Sequence, residues 1–148
     1  MELEKFQKPS LKVLLVEDDL EFANILKIRL SKEKSPPLEI TCLPTLQQAL
    51  EALAESKWDL IMLDLMLPDS SGIQTFTALH TQARHTPVVI MSGLDSDTLA
   101  IDAVRKGAED YLVKGELNSR LLLRILHHAI DRHRIKEKLA SVTGRLKE

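Results

Sequence analysis

Four short stretches of the chain are almost purely apolar: Val13-Leu14-Leu15-Val16, Leu60-Ile61-Met62-Leu63, Val88-Val89-Ile90-Met91 and the shorter Tyr111-Leu112-Val113. None alternates with polar residues, so each reads as a strand covered on both faces, the condition of a parallel sheet. The segment from Leu38 to Leu43 does alternate and follows Pro36-Pro37, which predicts a less covered edge strand. Helical patterns fill the gaps. Leu20, Ala23, Ile25, Leu26, Ile28 and Leu30 make one apolar stripe, and Leu46, Ala49, Leu50 and Leu53 make a second with Thr45 as its N-cap. Ile73, Phe76 and Leu79 make a third. The fourth holds Leu99, Ile101 and Val104, is capped by Asp95 or Ser96 and stops at Gly107.

The order βαβαβαβαβα, with crossovers long enough for right-handed parallel pairing, predicts a doubly wound α/β domain. Element order alone leaves Rossmann-like and flavodoxin-like sheets open; five strands favour the flavodoxin-like order 2-1-3-4-5. The last helix is expected to be extended, because Gly144 is the only helix breaker between Glu116 and Leu146. Along it Leu121, Ile125, His128, Arg132, Ile135, Leu139, Val142 and Leu146 follow a heptad spacing, with two polar positions in the seam. Leu122, Leu126 and Ala129 can pack on the domain, whereas the second half has nothing left in this chain to cover it. The chain therefore divides into a short tail (residues 1–8), one domain (9–127) and a helical extension (128–148) suited to a coiled coil or linker.

Composition changes this picture little. An apolar fraction of 44% and a charged fraction of 28% over 148 residues are those of an ordinary folded domain. No apolar run reaches the length of a membrane span, and Met1 to Ser10, with four charges and no apolar stretch, is not expected to be a secretory signal. The single Cys42 cannot form an internal disulfide, so a reducing cytoplasm is the expected compartment. Charge is uneven: residues 1–115 hold 12 Lys and Arg against 18 Asp and Glu, whereas residues 116–148 hold 8 against 4. That falls well short of a nucleic-acid-binding pattern, and no direct contact with nucleic acid is expected.

Ligands of open α/β sheets bind beyond the carboxyl ends of the strands. There the sequence places Glu17-Asp18-Asp19, then Asp64, Ser92 and Lys114, one group after each of four strands. Taken singly each has a structural reading: Asp19 as a helix cap, Asp64 as a turn cap before Pro68, Ser92 as a polar strand end, Lys114 as a solvated lysine. Their joint placement points to a site. Glu17, Asp18 and Asp64 repel one another, and one lysine cannot neutralise all three, so a divalent ion is the natural partner. An all-oxygen ligand set suits Mg²⁺, with Mn²⁺ as the alternative, and Mg²⁺ in such sites completes its shell with phosphate. The five glycines supply neither nucleotide-binding loop, and with 3% aromatic residues a flavin site lacks its walls. A covalently held phosphoryl group on a carboxylate remains.

The stretches Val13-Leu14-Leu15-Val16-Glu17-Asp18-Asp19, Asp59 to Gly72, Pro87-Val88-Val89-Ile90-Met91-Ser92-Gly93 and Gly107 to Lys114 together resemble the receiver domain of two-component response regulators, over roughly residues 9–127. The resemblance implies that Asp64 accepts the phosphoryl group from a sensor histidine kinase or phosphotransfer protein. It implies that Glu17 and Asp18 hold Mg²⁺ with Asp64 and the backbone carbonyl of Met66. It makes Ser92 the hydroxyl that bonds the phosphoryl oxygen, Lys114 its cationic partner and Tyr111 an aromatic switch on the face of the fourth helix, fifth strand and fifth helix. Two positions depart from the family pattern: Gly115 stands where many receivers carry proline, and Glu17 where Asp is more frequent, so its metal contact can run through water. The expected role is signalling by phosphorelay, with at most catalysis of its own phosphorylation and dephosphorylation. Three alternatives stand beside it. One is a receiver piece of a hybrid kinase or multidomain regulator. Another is an Asp-nucleophile phosphatase, in which a second Asp would occupy the place of Met66. The third is a degenerate module used for docking. A second copy of the chain, paired through the C-terminal helix, is the other candidate partner. His127, His128 and His133 read as surface residues rather than metal ligands.

Overall fold

The computed structural model describes residues 10–34, 36–93 and 97–147, with side chains as far as residue 142. Five parallel strands, β1 (Leu11–Val16), β2 (Leu38–Leu43), β3 (Leu60–Asp64), β4 (Val88–Ser92) and β5 (Asp110–Val113), form one sheet in the order β2-β1-β3-β4-β5. This is the flavodoxin-like order, and the crossovers are α1 (Leu20–Leu30), α2 (Leu46–Glu55), α3 (Ile73–Gln82) and α4 (Asp97–Arg105). A 3₁₀ turn at Lys114–Glu116 leads into α5 (Ser119–Lys147), 29 residues long. Among the described residues no helix is long and apolar enough to cross a membrane.

The continuous apolar runs are strands because both of their faces are covered. β3 and β4 are buried at every position, whereas the edge strand β2 alternates between half-buried and exposed positions. On one face Leu14, Val16, Ile61, Leu63 and Ile90 meet α2, α3 and α4; on the other Val13, Leu15, Met62 and Val89 meet α1 and α5. Thr45 caps α2 as expected, its Oγ1 accepting the Gln48 N–H at 3.1 Å. The cap expected for α4 at Asp95 or Ser96 lies outside the described residues, as does the tail 1–8.

Two apolar stripes are narrower than the sequence suggests. In α1 Ala23, Leu26 and Leu30 form the buried row with Phe22 packed beside it, and Leu20, Ile25 and Ile28 are exposed, because a helix crossing a sheet needs one row at i, i+3 and i+7. In α4 the buried row is Ala100 and Ala103 with Leu99 beside it; Ile101 and Val104 face outward. In α5, Leu122, Leu126, Ala129 and Ile130 pack on the sheet, and beyond them Ile135, Leu139 and Val142 are exposed. The heptad row is not a free seam throughout, since Arg132 turns to its own domain and donates to the Glu109 carbonyl at 3.1 Å. His133 departs from its expected surface role: its side chain is 14% exposed and its Nδ1 lies 3.3 Å from Glu109 Oε1.

Candidate functional site

β1 and β3 lie side by side in register, Val16 opposite Leu63, so the residue after each strand emerges at the same end of the sheet. Glu17 follows β1 and Asp64 closes β3. Both are buried although both are acids, which isolated carboxylates resist. The compensation comes from Lys114, which follows β5 and reaches back across β4: its Nζ pairs with Glu17 Oε1 and lies 2.7 Å from Asp64 Oδ2. The other oxygen of Asp64 accepts the Met66 backbone N–H at 2.9 Å.

α1 shapes the floor of this end. Asp19 caps the helix, its Oδ1 accepting the Phe22 N–H at 3.2 Å, and the Phe22 ring then lies 4.8 Å from the Lys114 ammonium. Phe22 thus holds Lys114 over an aromatic face, a cation–π contact the sequence pattern gave no sign of. Asp18, between the two, is exposed to solvent.

Burial, then the hydrogen bond and charge of Asp64, push the Glu17 carboxyl up to about 7 against the pull of Lys114. Burial pulls the Lys114 ammonium down, but its hydrogen bonds and ion pairs with Asp64 and Glu17 outweigh that and raise it. A cluster in which one acid is driven towards its neutral form is short of positive charge.

The donors present fit a hard divalent ion. Glu17, Asp18 and Asp64 each offer a carboxylate oxygen, all within 4.8 Å of one another, with no nitrogen or sulfur donor among them.

Ser92 stands at the end of β4, buried, one register step beyond Met91, which pairs with Asp64. Its Oγ donates to the Leu112 carbonyl at 3.5 Å, a long bond that holds the hydroxyl only weakly. Tyr111 is half-buried against the cluster under α2, α3 and α4. Glu17, Asp18, Asp64 and Lys114 therefore meet in one place, with Ser92 on the neighbouring strand end; Tyr111 lies further back along β5. A Cβ at Gly115 would meet nothing within 4 Å, so space does not demand glycine there.

A family model for the response regulator receiver domain matches residues 13–126. The chain belongs to that family. The transcriptional regulatory protein SrrA of Staphylococcus aureus is 32% identical over 113 residues, which cover 76% of this chain and 45% of SrrA. The receiver thus spans less than half of that relative. Among solved structures, the signal receiver domain of a Luxo repressor protein from Vibrio parahaemolyticus has a TM-score of 0.74 at 32% identity and covers 88% of this chain and 97% of its own. The Francisella response regulator 1452 receiver domain has a TM-score of 0.70 at 29% identity, covering 82% and 98%. NtrX from Brucella abortus reaches 0.80 at 24% identity over 90% of this chain and 30% of its own, a likeness of fold. The receiver is a signalling domain of a two-component system, and a histidine kinase or other phosphodonor is its class of partner.

Proposed function

We propose that Asp64 is the phosphoacceptor of this receiver and that Lys114, Ser92, Glu17 and Asp18 serve its phosphorylation. The observation that carries this reading is Lys114 Nζ bridging Asp64, at 2.7 Å, and the fully buried Glu17 at one end of the sheet. Asp18, Asp64, the Met66 carbonyl and Glu17, the last directly or through water, would hold Mg²⁺ or Mn²⁺. When bound, the ion supplies positive charge against the phosphoryl oxygens and orients them.

The residues do the rest. A carboxylate oxygen of Asp64 attacks the phosphorus of a phosphohistidine in line; the new O–P bond forms as the P–N bond breaks, and the imidazole leaves with the electron pair. Lys114 then exchanges part of its pairing with Asp64 and Glu17 for the incoming phosphoryl oxygens. The Ser92 hydroxyl gives up its long bond to Leu112 and donates to the phosphoryl group. That movement is what Tyr111 senses on the surface of α4, β5 and α5, a two-state element biased by a local charge. Chemistry on other substrates has no part in this reading. The proposal extends to pairing of two copies through the outer part of α5, and to the cytoplasm as the place of action. SrrA is named a transcriptional regulatory protein and is the longer chain; for this chain the proposal is confined to the receiver.

Incubation with acetyl phosphate and MgCl₂, followed by intact mass and peptide mapping, tests it. We expect a mass gain of one phosphoryl group, lost in Asp64→Asn and in EDTA. Turnover without accumulation would instead indicate a phosphatase, and no reaction a docking module.

A further inference from the structure

The loop from β3 to α3 is closed at its base and tied at its tip. Gly72 N–H donates to the Leu65 carbonyl at 2.8 Å, Leu67 N–H donates to the Ser70 carbonyl at 2.9 Å, and Met66 and Ser71 form an antiparallel bridge. Ser70 Oγ lies 2.7 Å from Oγ1 of the fully buried Thr75. Asp69 reaches out of the loop altogether. Its Oδ1 accepts the Leu46 N–H and its Oδ2 the Gln47 N–H, each at 2.9 Å.

Those are the first two N–H groups of α2, which a helix cannot satisfy from within, and they form its positive end. Thr45 already caps the same helix through Gln48. Asp69 is therefore a second cap delivered from another loop, serving the two N–H groups that Thr45 leaves open. The same junction leads back to the acids, because the Glu17 N–H donates to the Leu43 carbonyl at 3.0 Å, three residues before Leu46. A closed ring results: Glu17, the β2–α2 junction, Asp69, Met66 and Asp64.

We propose that Asp69 is a positioning residue for the divalent-ion site, latching the β3–α3 loop onto α2 so that the Met66 carbonyl keeps its direction relative to Asp64 and the Glu17–Asp18 pair. The inference rests on the phosphoacceptor reading above. A carbonyl ligand is aimed only by aiming its backbone, and the Met66 side chain, 53% exposed, does not anchor it by burial. Its backbone is held locally by the N–H bond to Asp64 and the bridge to Ser71, and the two charge-assisted bonds of Asp69 fix that loop as a unit against α2. Losing a partner hydrogen-bonded to a metal ligand weakens the ion by roughly 10- to 100-fold, and Asp69, which bonds α2 rather than a ligand, should cost no more than the low end of that range.

Isothermal titration of the full chain with MgCl₂, without any phosphodonor, tests this together with thermal melts. Asp69→Ala should weaken Mg²⁺ binding about tenfold. Asp69→Asn, which keeps one acceptor, should fall between it and the wild type and provides a well-folded check. Thr45→Ala, which removes the other cap of α2 and leaves the latch, should bind Mg²⁺ as the wild type does. Normal binding by both Asp69 variants would overturn the latch alone. Equal weakening in Thr45→Ala would also overturn it, since the effect would then belong to helix stability. A wild-type protein that binds no Mg²⁺ would bring down the phosphoacceptor reading, and the latch with it.

Discussion

Glu17 is fully buried beside a second carboxylate, and Lys114, the cation paired with it, is shared with Asp64. A folded-state value of about 7, above the ordinary 4.5, means that the native protein keeps a proton the unfolded chain has lost. Stability from this group is therefore present below about 4.5 and is lost as pH rises to about 7. Glu17→Gln cannot titrate and keeps the shape. Thermal melts in EDTA should show the wild type losing stability relative to Glu17→Gln as pH rises through that window. Parallel curves would mean that Glu17 is ionised in the fold and that Lys114 alone suffices for the cluster. At this scale the sequence was most informative, since Glu17, Asp18, Asp64, Ser92 and Lys114 each sit directly at a strand end, where the position of the strand fixes the position of the side chain. Phe22 and Asp69 were not legible in that way. Their roles depend on contacts between different elements, Phe22 with Lys114 and Asp69 with Leu46 and Gln47.

Among the elements, the strands were readable because burial on both faces leaves an unbroken apolar run, whereas a helix row has to be chosen from several. Leu20, Ile25 and Ile28 looked equal to Ala23, Leu26 and Leu30 in the sequence, and only the sheet decides between them. α5 divides in the same manner. Leu122 is fully buried against the sheet and Leu139 is 61% exposed beyond it. Leu122→Ala should cost about 2–5 kcal/mol, as cavity-forming leucine substitutions do. Leu139→Ala should stay within about 0.5 kcal/mol in the monomer. Urea denaturation of the two variants measures both, and equal losses would show that the outer half of α5 is covered too. The length of α5 was legible; what holds its middle was not. The Glu109 side chain is buried at the start of β5, with Lys136 Nζ 3.1 Å from each of its oxygens and His133 at 3.3 Å. Arg132 adds a bond to the Asp110 carboxylate at 3.4 Å. A clamp between residues more than twenty positions apart leaves no periodic trace.

Over the whole molecule this clamp sets what the extension presents. Arg132, His133 and Lys136 are committed to their own domain, so the stretch of α5 available to a second copy starts at Ile135 and runs through Leu139 and Val142. Three aliphatic side chains fall well short of the roughly 800 Å² per partner that a standard interface buries. Pairing through this stretch should therefore be weak and concentration-dependent, with heptad spacing supplying register rather than strength. Sedimentation velocity over a rising concentration series should show a monomer passing towards a dimer for the full chain. Leu139→Lys, which places a charge on the stretch while leaving the clamp and the Asp64 end of the sheet untouched, should hold it monomeric throughout. If both sediment alike as monomers at every concentration, the extension is a solvated arm and α5 carries no self-association. If both dimerise alike, the contact lies on the receiver body instead, and the exposed residues of α5 are bystanders. Repeating the series after acetyl phosphate treatment then asks whether phosphorylation at one end of the sheet reaches the helix clamped at the other.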